Sequence, residues 1–242
     1  MDPLRYCRER LLVPGRVHSV TQLFAPPEQA ERLLAALTVL DHLLEIPATV
    51  TEPDVAARKL DWWRAEIAAA YDAGADHPAA RALSDSGAVE QVRQALFEHL
   101  LRDLASACRA GPPDDMDTLW QLSTAIGGGA ARIEAAVVAP TAKAEALGEL
   151  GAAGWLVRTA RDLRRSAALE NWPVPLSLRA RWQVQRSSVA AGNPVAGWSG
   201  LVREMLEPAR PVLAGRHRAL PPNQAWVHRC RVVQAELDWR LL

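Results

Sequence analysis

The chain has 242 residues, 49% hydrophobic and 23% charged, enough for one large or two small globular domains with a substantial core. Lys and Arg total 28 and so do Asp and Glu, so no global basic field draws it to nucleic acid. Cys7, Cys108 and Cys230 lie far apart without zinc-type spacing, which suits free buried thiols in a reducing compartment. No run of about 18 apolar residues or signal peptide is evident, so the expected location is the cytoplasm, with at most peripheral membrane contact.

In chain order, "PPEQAERLLAALTVLDHLLEI" opens with two prolines and an acid, as a helix N-terminus does. Its Leu33, Leu34, Leu37, Leu40, Leu43 and Leu44 recur at three and four residues as a broad buried stripe. "TEPDVAARKLDWWRAEIAAAYDAG" repeats the form, with Pro53 in the first turn, a stripe through Leu60, Trp63 and Ile67, and Gly74 as the stop. "SGAVEQVRQALFEHLLRDLASACRAGPP" predicts a third helix closed by Gly111 and two prolines. "DDMDTLWQLSTAIGGGAARIEAAVVAP" and "TAKAEALGELGAAGWLVRTARDLRRSAALE" predict a fourth and a fifth. After "NWPVP" come helical pieces near 176–190 and 195–214, then a last helix at "PPNQAWVHRCRVVQAELDWRLL". No segment alternates with the period of two that strands require. The expectation is an all-α, single-domain helical bundle over residues 1–242, although no pattern fixes the arrangement of 186–220.

Few residues stand out chemically. Gly127–Gly129 lie inside a helical pattern with no Gly-Lys-Ser/Thr behind them, so close helix packing is a better account than a phosphate loop. "PPDDMD" lacks calcium-loop spacing and reads as a helix cap. His42 and Glu45, three apart, have no second such pair to complete a metal site and read as a partly exposed polar edge. No nucleophile-base pattern is present. Most of the nine tryptophans are expected in the core.

The order of three segments resembles the squalene/phytoene synthase family, the all-α enzymes that join two prenyl diphosphates head to head. "RLLAALTVLDHLLEI" stands where that family has its first aspartate-rich helix. "ARKLDWWRAEIAAA", followed by "HPAARAL", resembles its Lys-Leu-x-Trp-Trp-Arg-x-Glu and His-Pro stretch. "LGAAGWLVRTARDLRRSAALENWPVP" resembles its second aspartate-rich helix and the exit from it. The resemblance spans about residues 5–185 and implies the isoprenoid synthase type of helical bundle. It further implies paired carboxylates four residues apart on two facing helices, holding magnesium ions that bind the substrate diphosphate.

This chain departs from that pattern at both helices. On the first, Glu45 takes the first aspartate position and Ile46 and Thr49 the next two; a shifted register makes Asp41 and Glu45 a four-spaced acidic pair. On the second, Asp162 matches the first aspartate, while Arg165 and Ser166 replace the later acids. The exit carries Asn171 and Pro173 in place of the family's Arg and Tyr. Glu45 and Asp162 are thus the candidate metal ligands, and Asp41, Glu45, Asp162, Arg158, Arg161 and Arg165 the candidate diphosphate or magnesium residues. Arg158, Arg161 and Arg165 recur near one helix face, where they would touch an anion directly; the alternative is solvated arginines with an Arg161–Asp162 ion pair.

The spacing also resembles the branch related to a mitochondrial complex I assembly factor, which keeps the fold with little of the aspartate motifs. Three readings stay open. The first is a non-catalytic protein binding an isoprenoid diphosphate, a lipid or a protein partner, with no cofactor. The second is an active prenyl transferase that needs magnesium, with Asp41, Glu45 and Asp162 converging within about 6–8 Å. The third is an interaction module whose cavity is filled by side chains such as Trp155.

Overall fold

The structure is a computed structural model and describes residues 2–13, 22, 25–72, 74–138, 144–169 and 171–216. The last predicted helix, from Pro221 onward, and Cys230 lie outside the described residues. Every regular element among the described residues is helical, as the sequence predicts.

Helix α1, Pro3–Leu11, follows an Asp2 cap whose carboxylate accepts the Leu4 N–H at 3.0 Å. The sequence pattern gave no warning of this element, because only Cys7 and Leu11 on it are fully buried. Helix α2, Pro27–Thr49, is the centre of the larger core. Residues 33–40 are buried all round rather than along one stripe, because α2 packs against α1, against α3 (Pro53–Tyr71) and against α4 (Pro78–Asp85). The predicted third helix is two pieces, α5 at Ala88–Gln91 and α6 at Gln94–Arg109, with Val92 extended between them. Gly111 follows α6 at a positive φ of 50°, the stop predicted for it.

The fourth predicted helix runs from α7, Met116–Ser123, through a π-helical turn at Thr124–Gly128 into α8, Gly129–Val138. Asp115 caps it by accepting the Thr118 N–H at 2.8 Å, the role expected of "PPDDMD". The π turn crosses α9, Ala144–Arg161, at very close range. A Cβ placed on Gly127 would lie 2.5 Å from the Gly151 carbonyl oxygen, and one on Gly151 2.3 Å from that of Gly127. The glycine run is therefore a packing device, as its helical context suggested.

The fifth predicted helix breaks at Asp162, which leaves helical geometry (φ −90°, ψ 8°), and resumes as α10, Leu163–Ala168. A smaller core follows, built from α9, α10, α11 (Leu176–Trp182), α12 (Arg186–Ala190), α13 (Trp198–Leu206) and α14 (Ala209–Arg216). Trp155 packs against both cores and joins them. The exit segment "NWPVP" is tied down rather than loose: Trp172 and Val174 are buried, and Arg179 donates to both of their carbonyls while lying 4.6 Å over the Trp172 ring. Among the described residues, no helix is long and apolar enough to cross a membrane.

Candidate functional site

Asp41 and Glu45 sit one turn apart on α2, so their carboxylates share a face. Helix α1 crosses that face and lays Arg10 across it. Arg10 Nε donates to Asp41 Oδ2 at 2.9 Å, and a terminal guanidinium nitrogen donates to Glu45 Oε2 at 2.6 Å. Arg10 and Asp41 are each about one-quarter exposed and Glu45 about half, so the fork is partly screened and its Asp41 arm is the better protected. Thr49 follows on the same helix and turns its hydroxyl back onto the Glu45 carbonyl at 2.8 Å.

Asp162 stands at the break between α9 and α10, and its carboxylate accepts from Arg161 Nε at 3.1 Å and from a second Arg161 nitrogen at 3.3 Å. Because the helix breaks there, Arg158 and Arg161 belong to α9 and Arg165 to α10, so no single helix face carries all three. All three are exposed. Arg164 is also exposed and rests 5.2 Å over the Trp198 ring. Asn171 donates through its side-chain amide to the Pro47 carbonyl, which brings the exit segment against the end of α2.

Of the expected partly exposed polar edge, Glu45 is exposed, whereas His42 is more deeply set. It is half-buried in an aromatic cluster, hydrogen-bonded to the Tyr6 hydroxyl at 2.9 Å, and its ring is 4.9 Å from Trp63 and 5.2 Å from His77. Burial first, then the Arg10 and His77 charges, push its pKa down from 6.5 to about 4. Burial also lowers that of His77, and the nearby Arg10 adds to this while Glu66 opposes it. His77 is the N-cap of α4, its Nδ1 accepting the Ala79 N–H at 3.1 Å, and Glu66 Oε2 accepts the backbone N–H groups of Asp76 and His77 at 3.1 and 2.8 Å. Beside the cluster, α2 and α3 bound an open groove of about 610 Å³ with Arg58, Lys59, Trp62 and Ile46 on its walls.

Arg10 was not singled out from sequence, and His77 only as part of the His-Pro stretch that follows the paired tryptophans. Neither has a local signal for its contacts: Arg10 meets partners 31 and 35 residues away, and His77 meets Tyr6 and His42 from far along the chain.

Magnesium prefers six oxygen ligands in octahedral geometry. Among the described residues, no group of three or more His, Cys, Asp or Glu side chains gathers closely enough to hold a metal ion. The carboxylates in question are two on a guanidinium and one on its own neighbour, an arrangement that does not fit the ion.

A family model described as squalene/phytoene synthase matches residues 14–237 of the chain. The squalene synthase HpnC from Alicyclobacillus acidocaldarius is a similar solved structure, with a TM-score of 0.79 at 17% identity over 99% of this chain and 92% of that one. A dehydrosqualene synthase in complex with a ligand superposes with a TM-score of 0.79 at 13% identity, covering 98% and 83% of the two chains. YisP from Bacillus subtilis gives 0.67 at 14% identity, with 98% and 83% covered. At these identities the likeness is one of fold. Among curated proteins none matches the chain.

Proposed function

This chain belongs to the squalene/phytoene synthase family, and from that premise we propose that it is a non-catalytic member that binds an isoprenoid ligand without magnesium. The observation that carries the reading is the fork of Arg10 across Asp41 and Glu45. A guanidinium supplies a fixed positive charge and hydrogen bonds in the right directions for two carboxylates, so the acidic pair is satisfied without a cation from solution. Displacing it would require breaking both contacts and dehydrating the incoming ion. The pairing of Asp162 with Arg161, and the replacement of the later acids by Arg165 and Ser166, support the same reading on the second helix. So does the resemblance in spacing to the branch related to a complex I assembly factor, which keeps the fold with little of the aspartate motifs.

The test is calorimetry with farnesyl diphosphate, with and without magnesium, followed by product analysis of the same mixture. Binding of equal strength in both, with no pyrophosphate released, is expected. Magnesium-dependent binding with pyrophosphate release would instead make the chain an active prenyl transferase. No binding at all would turn the search to protein partners.

A further inference from the structure

The α2–α3 groove carries features that the two acidic positions do not explain. Arg58, Lys59 and Trp62 lie on one face of α3, since 58 and 62 are four apart and 59 and 62 three apart. Trp62 is 48% exposed, more than any other large hydrophobic residue among the described ones. Its ring meets Trp63 and His77 edge-on at 5.1 and 5.6 Å, so it stands upright on the cluster instead of being buried in it. Arg58 and Lys59 are exposed and pair with no carboxylate among the described residues. The carboxylate lining the groove, Glu45, is already held by Arg10. What remains is a concave space lined by two uncommitted cations, Arg58 and Lys59, and by the apolar side chains of Trp62, Trp63, Val55 and Ile46. Its volume of about 610 Å³ falls within the range of small-molecule sites.

We propose that this groove binds a single amphiphilic molecule with a phosphate or diphosphate head, the head held directly by Arg58 and Lys59 and the apolar part laid along Trp62. The inference rests on the ligand-binding function proposed above and gives that ligand a place in a groove that Glu45 lines and Asp162 does not. Direct contact suits the chemistry: two neighbouring cations match the multiple negative oxygens of such a head, and an exposed indole gives a flat apolar surface at low ordering cost.

The experiment uses the full chain and titrates it with farnesyl diphosphate, inorganic pyrophosphate, and vesicles of phosphatidylglycerol and phosphatidylcholine. Farnesyl diphosphate is expected to bind more tightly than pyrophosphate. The double variant R58A/K59A should weaken it roughly tenfold or more, and W62A about fivefold. All three side chains are exposed, so these variants keep the fold, and R203A, on the exposed side of α13, should bind as the unaltered chain does. Farnesyl diphosphate that binds the R58A/K59A protein with unchanged affinity would overturn the groove while leaving the binding function standing. Magnesium-dependent turnover would overturn the non-catalytic reading, and the variant series would still decide the groove. Vesicle binding with no affinity for free farnesyl diphosphate would overturn the site and make this face a membrane contact.

Discussion

The Glu45 carboxylate and the Arg10 guanidinium meet at 2.6 Å although 35 residues separate them, and the same guanidinium reaches Asp41 one turn earlier. An intramolecular cation thus stands where two four-spaced carboxylates face the same way. In water such carboxylates repel one another, and Arg10 removes that repulsion while pinning α1 to α2.

Removing the guanidinium should therefore have two effects. R10A is expected to lose about 1–2 kcal/mol of stability, the range for a partly exposed fork whose partners are left behind. It should also gain thermal stability on adding magnesium, because a ligand that binds only the folded state raises its stability, whereas the unaltered chain should not respond. Thermal melts with and without the ion read both. An R10A protein with unchanged stability and no response would mean that the fork contributes nothing.

At the second helix the expectation is the opposite. Asp162 and Arg161 are exposed neighbours, with side chains 47% and 39% accessible. D162A should shift stability by less than about 0.5 kcal/mol, since exposed pairs of this kind contribute little. Urea denaturation measures it, and a loss several times larger would show that Asp162 supports the helix break.

His42 makes stability depend on pH. Its folded pKa of about 4 lies below its ordinary 6.5, so between these values the unfolded chain binds a proton that the folded chain refuses. Stability from this source is fully present above pH 6.5 and is lost as pH falls toward 4. The lowered pKa of His77 acts in the same direction. Denaturant midpoints at about pH 7.5 and about pH 4.5 should differ less for H42Q than for the unaltered chain. Equal slopes would place the dependence on other groups.

Two glycines of α9 should answer the same substitution differently. A Cβ at Gly151 would lie 2.3 Å from the Gly127 carbonyl oxygen and 2.4 Å from the Ala131 Cβ, whereas one at Gly154 meets nothing within 4 Å. G151A must push the π turn away and is expected to cost roughly 2–3 kcal/mol. G154A sits in open space inside a helix and should be neutral or stabilising by about 0.5–1 kcal/mol. Chemical denaturation of the pair decides whether the close crossing is as tight as it stands.

The sequence alone determined which stretches are helical apart from α1 and α4, that no strand forms among the described residues, that Gly127–Gly129 serve packing, and that "PPDDMD" caps a helix. These follow from local rules: the 3.6-residue repeat, caps within one turn, and the lack of a side chain on glycine. Tertiary structure decided the rest. It broke helices at Val92 and Asp162, where the surrounding packing overrides a continuous helical pattern. It also set Arg10 on Asp41 and Glu45, Asn171 on Pro47, and His77 among Tyr6, His42 and the paired tryptophans. Such partners come from segments tens of residues apart, and periodicity reports which face of a helix is buried but not which neighbour lies across it.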